Sequence, residues 1–210
     1  MFPSISSRLT AAAVAALLLV ASGATAQSTT SFGVKGGITS ADEVMSGAGI
    51  DLGLDRRLGP AGGLFVTIDP VERFGLQIEA LFAQKGFTAK DVLEEGKYGV
   101  RLDYVEVPVL ARINAPVGAN ANFHVLGGVS PAVLLHDTQT LDGDELGEFE
   151  RDDYKSFDLG LTVGAALSVR RALIDVRYTH GLLNVIDLED DDYDFTVKNR
   201  AFTVMVGFRF

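Results

Sequence analysis

Cysteine is absent from the 210 residues, which excludes disulfide frameworks, thiolate metal sites and cysteine nucleophiles. Basic residues are outnumbered, 18 Lys and Arg against 28 Asp and Glu, and the net charge of −10 argues against nucleic acid or an anionic lipid surface as main partner. There is no low-complexity tract and no repeat with a fixed motif. Long apolar runs are missing as well. Beyond residue 26 nothing approaches 18 consecutive apolar residues, so no membrane-spanning helix is expected. What remains is a chain of one-domain length, 47% apolar, with no stretch between 27 and 210 that reads as a linker.

The first segment reads as a cleavable signal peptide over residues 1–26. Arg8 supplies the positive start, Ala11 to Ala21 the apolar stretch, and Ala24-Thr25-Ala26 the small-residue cleavage site. The apolar stretch is too short for a transmembrane helix, which needs about 20 residues. Cleavage after Ala26 leaves Gln27 first, where a lipoprotein would need cysteine, and a mature domain over 27–210 with 17 bases against 28 acids.

Period-two alternation then runs to the end of the chain. Phe202, Val204, Val206, Phe208 and Phe210 share one face, opposite Thr203, Met205, Gly207 and Arg209. Residues 156–169 put Phe157, Leu159, Leu161, Val163, Ala165, Leu167 and Val169 opposite Ser156, Asp158, Gly160, Thr162, Gly164, Ala166 and Ser168. A helical period of 3.6 would scatter both sets around the axis, so these are strands. Residues 31–39, 61–69, 74–86, 102–114, 122–135 and 172–181 follow the same rule. The count is eight, each long enough to cross a bilayer when tilted.

The connections alternate strictly. Long ones are expected over 40–60, 87–101, 136–153 and 182–197, and short ones at 69–73, 115–121 and 170–171. An up-and-down barrel with this order has all long loops at one rim, with the short turns and both termini at the other. The expected fold is therefore all-β: an eight-stranded antiparallel up-and-down transmembrane β-barrel with short periplasmic turns, long extracellular loops and periplasmic termini. Charge supports lipid on the outside. The polar faces carry Lys35, Lys85, Arg112, Arg177 and Arg209 with Glu79, Glu106, Asp158 and Asp175, a nearly neutral set expected to form an ion-pair network in a narrow lumen. The opposite faces are almost free of charge at mid-strand, as lipid requires.

Phe210 at the chain end, with Phe208 two residues before it, resembles the terminal signal read by the outer-membrane assembly machinery. The pieces Gly33-Val34-Lys35-Gly36-Gly37, Leu102-Asp103-Tyr104-Val105-Glu106-Val107-Pro108, Gly128-Val129-Ser130-Pro131 and Tyr178-Thr179-His180-Gly181-Leu182-Leu183-Asn184 occur in order before that last strand. Together they resemble the outer-membrane β-barrel domain family that includes PorT, of the Bacteroidetes and relatives. The resemblance implies the barrel fold, a bacterial outer-membrane location and an integral-membrane state, but no particular activity.

Catalytic groups are scarce. Of His124, His136 and His180 none forms a His-x-Ser pair, and Ser130 lies about 20 Å along a strand from His136. A Ser-His-Asp site would need residues from neighbouring strands, so no enzyme and no cofactor is expected. The remaining candidate is acidic loop chemistry. Residues 137–153 hold eight acids against Arg151, and residues 187–194 hold six acids and no base. Carboxylates suit Ca²⁺ or Mg²⁺, but neither run has EF-hand spacing, so at most weak divalent binding is expected at Asp187, Glu189, Asp190, Asp191, Asp192 and Asp194. The default is a solvated, repelling surface; diffuse divalent bridging to lipopolysaccharide phosphates lies between. The expected function is a structural or surface-binding barrel acting through its acidic loops on an unidentified surface ligand or envelope protein. A narrow porin-like channel and a lipid-modifying enzyme are the alternatives.

Overall fold

The computed structural model describes residues 29–46, 54–89, 98–141, 144–147, 155–185 and 196–210. The alternating segments form strands because each has one apolar and one polar or small face, and only a closed sheet satisfies every backbone group while burying just one of them. In chain order they are β1 (Thr29–Ser46), β2 (Leu54–Val71), β3 (Phe74–Ala89), β4 (Tyr98–Glu106), β5 (Val109–Gly118), β6 (Ala121–Leu141), β7 (Asp144–Gly147), β8 (Phe157–Val169), β9 (Ala172–Gly181) and β10 (Thr196–Arg209). Every pairing among the described strands is antiparallel, and β1 pairs with both β2 and the last strand, β10, which closes the ring. β4 and β5 are one barrel strand interrupted at Val107-Pro108, and β7 is a short addition to the tip of β6. The result is an eight-stranded up-and-down barrel.

Pro108 explains the interruption. It has no N–H to give the ladder, but its carbonyl still accepts from the Glu79 N–H at 3.0 Å, while Val107 N–H donates to Pro131 O at 2.8 Å. Three two-residue turns form one rim: Glu72-Arg73, Ala119-Asn120 and Arg170-Arg171. Arg170 takes φ 54° there, and its N–H reaches across to Asn120 O at 2.8 Å.

The exterior band is apolar: Phe32, Val34, Ile38, Leu64, Leu76, Val125, Leu161, Val163, Ile174 and Val206 are all exposed. In water such a surface would be unstable; against lipid tails it is what the environment demands. The band ends sharply toward the other rim. There Asp42 faces outward and accepts from Arg200 Nη2 at 3.0 Å and Arg56 Nε at 3.3 Å.

Strands run further than alternation alone indicated. Residues 40–46, 54–60, 87–89, 98–101 and 136–141, expected in connections, continue the ladder. Once the strands pass the apolar band both faces can be polar, so the period disappears while the hydrogen bonds persist. Residues 1–26 and the acidic run 187–194 lie outside the described residues.

Candidate functional site: the charged lumen

The inward faces of the strands stack in layers from the turn rim to the loop rim. At the turn rim β5 supplies Arg112, almost fully buried at 4% exposure. Its Nε donates to Asn114 Oδ1 at 3.3 Å, and its Nη2 lies 3.1 Å from His124 Nδ1. His124 Nδ1 is 2.8 Å from Asn114 Oδ1, and His124 Nε2 is 2.9 Å from Ser168 Oγ. Asn114 is fixed in turn, its Nδ2 donating to Asp69 Oδ1 at 3.0 Å. With Asn114 held this way its Oδ1 is the acceptor, so His124 carries its proton on Nδ1 and Nε2 accepts from Ser168. A cavity of about 20 Å³ opens here, lined among others by Arg112, His124, Ser168, Arg171 and Arg209.

Above it, Lys35 of β1, Glu79 of β3, and Asp175 and Arg177 of β9 form a closed quartet. Lys35 Nζ donates to Glu79 Oε1 at 2.7 Å and to Asp175 Oδ2 at 3.0 Å. Arg177 Nη1 and Nη2 reach Glu79 Oε2 and Oε1 at 2.9 and 3.0 Å, and its Nε reaches Asp175 Oδ1 at 2.9 Å. Two positive and two negative groups cancel, each almost completely enclosed. This neutrality, with both carboxylates accepting several bonds, is what makes ionised groups tolerable away from water. Next comes a layer of hydroxyls: Thr39 bonds Thr203 at 2.9 Å, and Ser130, Thr162 and Thr179 are linked at 2.7 and 2.9 Å.

Toward the loop rim the interior changes character. Lys85 Nζ lies 2.6 Å from Glu106 Oε1 and 5.1 Å from the centre of the Tyr104 ring. Among the described residues no base stands in ion-pair contact with Asp158, whose Oδ2 accepts from Asn199 Nδ2 at 3.0 Å. Phe87, Val100, Leu102, Tyr104 and Ala132 fill the remaining space as an apolar cluster. Glu43 is buried beside this layer, with neither carboxyl oxygen hydrogen-bonded among the described residues. It sits level with the outward Asp42–Arg200 pair, above the apolar band, and burial, then the charge of Asp158, pushes its pKa up to about 8.

The nine lumen residues read from the sequence therefore do not form one network. Lys35, Glu79, Asp175 and Arg177 make the quartet, Lys85 and Glu106 a separate pair, Asp158 binds an amide, and Arg112 and Arg209 face the turn-rim cavity. Strand alternation assigns a face but not a height, so it cannot group residues along the axis. Glu43 was hidden in a segment read as loop. The His124–Ser168 contact joins β6 to β8, and no local spacing shows it. Ser130 bonds Thr162 rather than a histidine, His136 is exposed, and His180 stacks on Tyr178. Phe210 N–H donates to Phe32 O at 2.8 Å and the two rings lie 5.3 Å apart, tying the chain end to β1. The six carboxylates over 187–194 lie outside the described residues, and the described ones contain no cluster able to hold a metal.

A closed eight-stranded barrel with an apolar exterior band and a paired, charged interior is the architecture of an outer-membrane protein, and the profile of the outer membrane protein beta-barrel domain family matches residues 25–187. The chain belongs to that family. Membership implies the bacterial outer membrane. No curated protein matches the chain. Several solved barrels are similar to it. The outer membrane protein OprG of Pseudomonas aeruginosa is 15% identical over 88% of this chain and 97% of its own, with a TM-score of 0.49. Neisserial surface protein A is 11% identical over 87% and 99%, TM-score 0.46. Ail, the attachment invasion locus protein of Yersinia pestis, solved with the heparin analogue sucrose octasulfate, is 14% identical over 86% and 99%, TM-score 0.43.

Proposed function

We propose that this outer-membrane barrel is a non-conducting, non-enzymatic scaffold that presents its acidic loop rim to a surface ligand or envelope partner outside the cell. The observation that carries the reading is the quartet Lys35–Glu79–Asp175–Arg177, which spans the lumen from β1 and β3 to β9. A permeating ion would have to break four buried ion pairs in a space closed above by the Tyr104 cluster. Eight strands leave room for little beyond side chains. In this reading the turn rim and both termini face the periplasm after removal of residues 1–26, and the loops lie outside with lipopolysaccharide around them.

The turn-rim chain Asn114–His124–Ser168 has the order orienter, base, hydroxyl, which in other settings makes a nucleophile. Its cavity of about 20 Å³ is far below the roughly 300–1,000 Å³ of a substrate pocket, so we assign the chain to satisfying buried polar groups. The element Tyr104-Val105-Glu106-Val107-Pro108 has structural duties here. Pro108 breaks the strand, Glu106 pairs with Lys85, and Tyr104 packs the cluster. The sequence resemblance of this element is the ground on which we propose placement near the PorT-containing branch of the family. Planar-bilayer recording of the purified barrel tests the closed lumen. Silence at moderate voltage is expected, and steady unitary currents would overturn the proposal.

A further inference from the structure

We infer that the turn-rim cavity is a binding site for a small oxoanion, a phosphate or carboxylate group, held by Arg112, Arg209 and Arg171. Three guanidinium-bearing residues line one cavity, and among the described residues no carboxylate stands in ion-pair contact with any of them. Arg112 is the decisive one. It is almost fully buried, yet its hydrogen-bond acceptor is the neutral Asn114 Oδ1, and its Nη2 lies against the protonated Nδ1 of the neutral His124 ring. Two carboxylates are close. Asp175 lines the cavity, but both of its oxygens are already taken by Lys35 and Arg177. Asp69 is engaged by Asn114 Nδ2. A buried guanidinium beside two others, with both nearby carboxylates engaged elsewhere and out of ion-pair contact, is costly, and an exchangeable oxoanion relieves that cost. The planar donor fork of arginine suits two oxygens of such a group.

Size and position narrow the ligand. About 20 Å³ is room on the order of one or two water molecules, so two oxygens enter while the rest of the group remains in the open mouth beside exposed Arg171. The Ser168 hydroxyl lines the same cavity and can donate to a bound oxygen when rotated away from His124. Chloride would satisfy charge but not the fork.

The test is titration of the folded, isotope-labelled barrel in phosphate-free detergent with inorganic phosphate, against chloride at equal ionic strength. Saturable amide shifts confined to residues around Arg112, Ser168, Arg171 and Arg209 are expected with phosphate and not with chloride. Arg171→Gln, an exposed turn position that leaves the fold intact, should weaken apparent affinity several-fold. Arg112→Gln should weaken it at least tenfold, with heat-modifiable gel mobility checking that this variant folds. Phosphatidylglycerol added to the micelles separates the sources: shifts with lipid only would assign the same chemistry to a headgroup. Absence of saturable shifts with either, or equal affinity in Arg171→Gln, would overturn the site.

Discussion

Arg177 grips Glu79 with both ends of its guanidinium, Nη1 to Oε2 at 2.9 Å and Nη2 to Oε1 at 3.0 Å, across the lumen from β9 to β3. The two residues are 98 apart in sequence, and their planar, two-pronged contact fixes the separation of opposite walls. Lys35 and Asp175 complete the charge balance, so the barrel is braced by a neutral set rather than by one pair. The backbone contributes too: Glu79 N–H bonds Pro108 O at the break between β4 and β5, which anchors the Glu79 main chain where its side chain must point inward.

Removing one carboxylate from this brace leaves two buried cations sharing Asp175. Glu79→Ala is expected to cost about 3–5 kcal/mol, the range for breaking a buried ion pair. Replacing partners together, as in Lys35→Met with Glu79→Leu, should recover much of that loss. Urea unfolding in lipid vesicles measures both. A Glu79→Ala loss below about 1 kcal/mol would mean that water reaches the quartet and that the lumen is not closed there.

The exterior band makes a depth-dependent prediction. Val163 lies mid-strand and faces out, so Val163→Arg should cost about 2–4 kcal/mol, while the same change near the edge of the band, Leu58→Arg, should cost about 0–1 kcal/mol. Leu58 is one step from the charged level of Arg56 and Asp42. Equal costs at the two positions, in the same vesicle assay, would contradict the placement of the band.

Much of this was legible because barrel strands encode their sidedness residue by residue. Val163 and Asp158 were assigned to opposite faces from the period alone, and Arg170-Arg171 was readable as a turn. Height along the axis was not legible. Arg112 and Arg177 look equivalent in sequence, each inward on its strand, yet one faces a cavity and the other a quartet. Their difference is set by strand tilt and stagger, which displace neighbouring registers by amounts no single strand carries. Glu43 was missed for a different reason: beyond the apolar band the outward face becomes charged, so nothing marked residues 41–46 as strand.

Close strand approach is the constraint least visible in composition. A Cβ on Gly128 would lie 2.1 Å from Val109 O and 2.9 Å from Leu110 Cα, both backbone atoms of the paired strand. Neither can move without opening the β5–β6 ladder. Gly128→Val should therefore fail to give the compact, fast-migrating band on unboiled gels. Gly36→Ala meets its first neighbour only at 3.8 Å and should fold normally; loss of the band in both variants would trace the defect to something other than this contact.

Glu43 gives the barrel a pH dependence opposite to that of its paired carboxylates. Its carboxyl is buried above the apolar band with no hydrogen-bond partner among the described residues, and burial together with Asp158 pushes its pKa up to about 8 from a usual 4.5. Between those values the folded state keeps a proton that the unfolded chain has lost. The stability from this group is thus complete below the unfolded value and declines as pH rises toward 8, by at most about 1.4 kcal/mol per pH unit. Glu43→Gln fixes the neutral form and removes the slope. Unfolding curves from pH 5 to 8 should show the variant gaining steadily on the wild type, with the gap levelling off above pH 8. A gap that stays constant across that window would mean that Glu43 is ionised in the folded barrel and finds a cation there.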